Sequence, residues 1–241
     1  MPNRTAAEDG IITEAERAAV YRTIYGRRDV RSFFKPEPIP PEIFARILKA
    51  AHHAGSVGYM QPWNFLIVED RGVKEKVKQA FERERNEAAL LFKGERREKY
   101  LSYKLEGILE APVNLVVTSD PTRFGPQVLG RHSVPETDVY STCLAIQNLW
   151  LAARAENVGV GWVSILKRED LYEIFQIPRQ VTIVAYLCLG YVTHFPDKPD
   201  LERLGWGKRI SLKELVTFNQ WSGKPPELWK DFCLLLEDGE T

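Results

Sequence analysis

The chain has 241 residues, with 33 Lys and Arg against 33 Asp and Glu, so no global basic field recruits nucleic acid or acidic lipid. Hydrophobic residues at 44% and charged residues at 27% give the balance of an ordinary soluble globular chain, and no apolar run nears the ~20 residues of a membrane span. Cys143, Cys188 and Cys233 are far apart, odd in number and outside any CxxC or metal spacing, which reads as reduced thiols in a cytoplasm.

Met1-Pro2-Asn3-Arg4, followed by Glu8 and Asp9, lacks the apolar core of a signal peptide. Thr13 stands as an N-cap before Glu14 and Glu16, with Ala18, Ala19, Val20 and Ile24 behind. A helix is therefore expected over 13–25, its acids where the macrodipole favours them. Gly26 ends it, and Arg27-Arg28-Asp29-Val30-Arg31-Ser32-Phe33 follows as a loop running into Lys35-Pro36-Glu37-Pro38. Three guanidiniums and one carboxylate form a local cluster suited to an anion, because the planar fork of arginine offers paired donors and keeps its charge. A solvated charge run at a helix end has the same composition, and spacing alone leaves both readings open. Pro40 and Pro41 suit the first turn of a second helix, whose Ile43, Phe44, Ile47, Leu48 and Ala51 share one apolar face. Of the four histidines, only His52 and His53 are adjacent, and adjacent side chains diverge on a helix, so no metal site is expected.

In Gly55-Ser56-Val57-Gly58-Tyr59-Met60-Gln61-Pro62-Trp63, two glycines allow close backbone approach to a ligand and Gln61 adds an amide; a plain helix-to-strand loop is the other reading. Residues 64–69 read as a buried strand, and 73–107 as charged helix broken at Gly94. The part from Arg96 to Ile108 reads as one of a surface helix pair or as a mobile cover. Pro112 opens a strand over 113–118, and 119–137 is a long loop. Asp138 caps a helix over 139–157, apolar almost all round, as suits a core or subunit-interface helix, with Gly159 placed to end it. A short strand at 160–165, a helix near 168–175 and a two-sided central strand at 181–190 follow. Lys208-Arg209, then Leu212, Leu215, Val216 and Trp221, lack a sheet partner and read as an arm across the body or onto a second subunit. Helix and strand mix without regular βαβ alternation, so the expected class is α+β.

Four of these stretches occur together: Arg27-Arg28-Asp29-Val30-Arg31, Met60-Gln61-Pro62-Trp63-Asn64-Phe65, Leu105-Glu106-Gly107-Ile108-Leu109-Glu110-Ala111-Pro112 and Gly161-Trp162-Val163-Ser164. From about residue 16 to 221 the chain resembles the FMN-dependent nitroreductase-like family, in the branch that consumes its flavin. That resemblance implies an α+β fold, a central mixed β-sheet flanked by helices in an intertwined homodimer, with FMN sites at the subunit interface. It implies a domain over 13–221 with a lid at about 90–110 and an arm at about 206–221, between tails at 1–12 and 222–241.

Arg27, Arg28 and Arg31 would then hold the phosphate and ribityl oxygens, with Asp29 and Val30 among them and Lys208 and Arg209 adding charge. Gly55, Ser56, Gly58, Met60, Gln61 and Pro62 would line the isoalloxazine, and Gly161 and Trp162 would bring backbone donors to its N5 and O2 edge. Arg96 and Leu105 would belong to the lid, and Asp29 and Ser164 would stand beside the reacting part, Asp29 as general acid/base. The implied reaction turns reduced FMN and oxygen into 5,6-dimethylbenzimidazole, the lower ligand of vitamin B12, and erythrose 4-phosphate, without a metal and with a separate flavin reductase supplying reduced FMN. An NAD(P)H-dependent nitroreductase or flavin reductase and a non-catalytic flavin-binding module are the alternatives.

Overall fold

The computed structural model describes residues 10–236; the reading of Met1 to Asp9 and the end of the tail, 237–241, lie outside them. The chain forms two compact units, one ending at Asp197 and the other beginning at Lys198, a boundary inside the stretch expected as one domain.

In the first unit, helix α1 (Glu14–Gly26) starts on a capping box, Thr13 and Glu16 each bonding the other's backbone N–H. Helix α2 (Pro41–His52) begins with Pro41 in its first turn, where a missing N–H costs nothing. Strand β1 (Trp63–Val68) leads to α3 (Arg71–Ala89), capped by Asp70 through the Val73 N–H at 2.8 Å. Gly94, at φ 54°, makes the break before α4 (Gly94–Ser102). Strand β2 (Val113–Ser119), helix α5 (Thr137–Ala155), strand β3 (Val158–Trp162), helix α6 (Arg168–Phe175) and strand β4 (Thr182–Tyr191) complete the unit.

The four strands lie in the order β1-β2-β4-β3, every neighbouring pair antiparallel. This corrects the expected mixed sheet: the parallel contribution is a single bridge between Asp29 and Val160. Alternation along the two central strands divides the core in two. Leu115, Val117, Leu187 and Leu189 pack with Ile47, Ile146 and Leu149 of α2 and α5. Val116, Ile183, Tyr186 and Cys188 pack with Val77, Phe81 and Leu171 of α3 and α6. Both faces of β2 and β4 are thus covered, which accounts for their unbroken apolar runs. Burial also pushes the Cys188 thiol up, leaving it a neutral core group.

Several boundaries depart from expectation: α5 begins at Thr137, so Asp138 lies in its first turn instead of capping it, and the strand expected over 160–165 runs over Val158–Trp162. Helix α5 stops at Ala155 and the chain turns at Asn157, which takes the left-handed conformation at φ 57°. Gly159 is instead inside β3, where a Cβ would stand 2.6 Å from Val192. The second unit carries α7 (Asp200–Arg203), α8 (Leu212–Leu215) and α9 (Lys230–Leu235), with Trp229 packed between Phe218 and Phe232.

Candidate functional site

The arginine stretch leaves α1 and crosses the outer edge of β3. Val30 N–H donates to the Val160 carbonyl at 2.9 Å, and Asp29 Oδ1 accepts from Trp162 N–H at 3.0 Å. Asp29 Oδ2 accepts from the Arg31 guanidinium. The expected close approach of backbone at Gly161 is real, but the backbone that approaches is the chain's own: a Cβ there would lie 2.0 Å from the Val30 carbonyl oxygen. Trp162 N–H, expected to face the flavin edge, is spent on Asp29.

Within this cluster the charges are unevenly committed. Arg28 folds back onto the carbonyls of Tyr25 at 2.7 Å and Arg27 at 2.8 Å and also reaches that of Asp197. The Arg27 guanidinium lies 5.0 Å from the centre of the Trp150 ring. The Nε atoms of Arg28 and Arg31 are buried donors without a hydrogen-bond partner. Buried orphan donors are costly, and a bound anion satisfies them, so the cluster fits a phosphate-bearing ligand such as FMN. Burial pushes the Asp29 carboxyl above its ordinary range, against the opposing pull of Arg31, the Trp162 N–H and Arg27.

The second expected stretch is held with equal care. Gly58 has φ 51°, and a Cβ would meet the Leu129 carbonyl and Val128 at 2.7 Å, so this glycine accommodates the 120–136 loop. Tyr59 and Gln61 also have positive φ, at 57° and 48°. Ser56 Oγ accepts from Gln61 N–H at 3.0 Å. Met60 and Pro62 are buried, and the Met60 N–H donates to the Val57 carbonyl at 2.9 Å, while Gly55 has open space beside its Cα. Arg123 donates to the Gln61 carbonyl at 2.7 Å and the Trp63 carbonyl at 3.2 Å, and Arg131 to the Pro121 carbonyl at 2.6 Å.

Other expected residues are placed as follows. Ser164 is exposed, two residues beyond Trp162 at the end of β3. Arg96 sits on α4 with its guanidinium 5.6 Å from the Phe92 ring centre. Leu105 packs against the α3/α6 core, and the segment after it is anchored by buried Glu106, which takes Lys78 at 2.7 Å, Lys104 at 2.9 Å and the Ile108 N–H at 2.7 Å. Lys208 and Arg209 are exposed in the second unit.

Sequence reasoning gave no site role to Arg123, Glu106, Trp150 or Arg154. The last two lie one turn apart on α5, and an arginine among its apolar residues was the available signal.

The fold thus presents an arginine loop bridged to its edge strand, an arrangement suited to an anionic ligand. The nitroreductase family matches residues 24–191, and the chain belongs to it. The chain is 43% identical over 183 residues to a 5,6-dimethylbenzimidazole synthase of Rhodospirillum rubrum, covering 76% of this chain and 86% of that one. Among solved structures it is similar to oxidized iodotyrosine deiodinase bound to FMN and 3-iodo-L-tyrosine, with a TM-score of 0.65 and 25% identity, covering 84% of this chain and 100% of that one. A BluB-like flavoprotein of Clostridium difficile 630 shares the fold at a TM-score of 0.61 and 19% identity, covering 83% of this chain and 99% of that one.

Proposed function

We propose that this chain is a 5,6-dimethylbenzimidazole synthase of the BluB kind, an oxidoreductase that fragments reduced FMN with oxygen to 5,6-dimethylbenzimidazole and erythrose 4-phosphate. The observation that carries the reading is the carboxylate Asp29, fixed on the Trp162 N–H in the middle of an arginine cluster with orphan buried donors. A carboxylate weakens a site built only to hold phosphate. One whose pKa burial raises holds a proton more readily than an exposed carboxylate, as a group that exchanges protons with a ligand must. The kinship with the Rhodospirillum rubrum synthase supports the same assignment.

In this reading the arginines 27, 28 and 31 take the phosphate and ribityl oxygens of FMN, with Val30 between them. The flavin supplies the electrons and the carbon skeleton. Asp29 exchanges a proton with the reacting region, and Ser164, exposed beyond β3, orients that region or relays a proton. The backbone from Gly55 to Pro62 lines the ring, Gly161 and Trp162 hold Val30 and Asp29 in place beside it, Arg96 and Leu105 border the lid side, and Lys208 and Arg209 add phosphate charge.

Pairing as a homodimer is supported by an uncovered apolar face: α1 leaves Val20, Tyr21, Ile24 and Tyr25 exposed, and α5 leaves Tyr140 and Leu144 exposed. No helix of the described residues is long and apolar enough to cross a membrane. The proposal includes a cytoplasmic setting, a separate reductase as the source of reduced FMN, and no requirement for a metal.

Incubation of the purified protein with chemically reduced FMN in air tests the assignment. Disappearance of flavin absorbance with formation of dimethylbenzimidazole is expected. Sustained NADPH oxidation over an intact flavin, or binding without conversion, overturns it.

A further inference from the structure

A helix ends with carbonyls that have no partner in the next turn, and those carbonyls carry its partial negative charge. At the end of α1 this is awkward, because the arginine loop begins there and a phosphate is repelled by exposed carbonyl oxygens. The chain deals with four consecutive carbonyls by four side-chain bonds. The carbonyls of Tyr25 and Arg27 accept from the Arg28 guanidinium. That of Gly26 accepts from Arg154 Nε at 3.0 Å, and that of Arg28 accepts from Trp150 Nε1 at 3.1 Å.

Two of these donors come from α5, and they grip the carbonyls on either side of Arg27. Trp150 does more than cap. Its ring lies under the Arg27 guanidinium at 5.0 Å, a cation–π arrangement that fixes where that charge points. The same ring is 6.4 Å from that of Trp162, whose N–H holds Asp29. Trp150 is 9% exposed and sits in the core of the α2/α5 layer, so its position is set by packing that is independent of any ligand. Arg154 is anchored in turn over the Phe195 ring at 4.0 Å.

We infer that Trp150 is a positioning residue for phosphate recognition: it fixes the Arg28 backbone and the Arg27 guanidinium, and so gives the site its preference for the phosphorylated flavin over the unphosphorylated one. The inference rests on the flavin reading of the site. It separates the phosphate end, set by Trp150 and Arg154 on α5, from the ring end, set by the segment 55–62.

The test uses the full chain and two probes, FMN and riboflavin, with affinities measured by flavin fluorescence. Trp150→Phe keeps a ring under Arg27 and removes the N–H to Arg28. Trp150→Leu removes both and serves as a second variant. Tyr172→Phe is the control, because it too removes a side-chain donor to a backbone carbonyl, that of Val181 at 2.8 Å, in the other core layer. Trp150→Phe is expected to weaken FMN about 3- to 10-fold, the worth of one net hydrogen bond, and to leave riboflavin unchanged. Trp150→Leu should weaken FMN further and again spare riboflavin, while Tyr172→Phe changes neither affinity. Equal weakening of both flavins in the Trp150 variants makes the residue a plain core group and overturns the inference. Variants that keep the wild-type FMN-to-riboflavin ratio overturn it alone, and a wild-type protein that binds neither flavin overturns the flavin reading with it.

Discussion

Gly161→Ala is the sharpest single perturbation of this site. The added methyl would lie 2.0 Å from the Val30 carbonyl oxygen and 3.1 Å from its carbon. Ordinary contact begins near 3.4 Å, so the two backbones must part by about 1.4 Å, the difference of 3.4 and 2.0. Neither side yields easily. Val30 is 2% exposed, and β3 is held to β4 by its full ladder. The least costly response is for the arginine loop to leave the edge of β3. That gives up the bond from Val30 N–H to the Val160 carbonyl, worth about 1 kcal/mol, and the charge-assisted bond from Trp162 N–H to Asp29, worth about 2 kcal/mol. The sum is about 3 kcal/mol of docking energy. Flavin binding then has to restore the docked loop at its own expense, which raises the apparent Kd for FMN roughly 100-fold. Urea unfolding and fluorescence titration with FMN measure the two quantities on one preparation. A variant within 1 kcal/mol of wild-type stability and within about threefold of its FMN affinity refutes this account of why residue 161 is glycine.

Asp29→Asn keeps the shape and the acceptor for Trp162 N–H, so it should still bind FMN while losing about 10²–10⁴ in flavin consumption; unchanged turnover removes Asp29 from the chemistry. Because burial raises the Asp29 pKa above its unfolded value, folding stability falls as pH rises from the unfolded value, about 3.9, through the folded one, and this slope should vanish in Asp29→Asn when melting is followed against pH. Glu106 shifts the other way: burial would raise it, but the bonds from Lys78, Lys104 and the Ile108 N–H outweigh that and hold it below the usual range. Its stabilisation is therefore present above the unfolded value, about 4.3, and is lost as pH falls through the folded one. Glu106→Gln should cost about 2 kcal/mol at neutral pH and flatten the acid limb of the stability curve, and an unaltered acid limb counts against the assignment.

What the sequence disclosed follows from how local each cause is. The cap at Thr13, the break at Gly94 and the buried run of β4 depend on neighbours within a few residues, and their elements formed near where they were expected. Gly159 misled because glycine is the commonest left-handed stop, yet Asn157 tolerates the same conformation and came first. The mixed sheet was implied by the resemblance and could not be checked from the residues, because pairing partners such as Val113 and Leu189 are remote in sequence and no local pattern sets their direction. At the site, residue types were legible and bonding was not. Arg28 has the composition of a phosphate ligand, but its Nη1 serves two carbonyls of its own turn and its Nη2 that of Asp197. Asp29 stood out by its chemistry, whereas its partner, Trp162 N–H, is a backbone group that carries no signature in the sequence.

The bond between Trp162 and Asp29 joins residues 133 apart, and this sets an order of events on the ribosome. The arginine stretch is made early, but the strand that receives it is completed 133 residues later. At roughly 5–20 residues per second, that is a wait of roughly 7–27 s during which the loop has no edge to dock on. A nascent chain therefore carries its arginine cluster long before it has the strand edge that holds it, and the loop takes its final geometry late, after most of the chain has been synthesised.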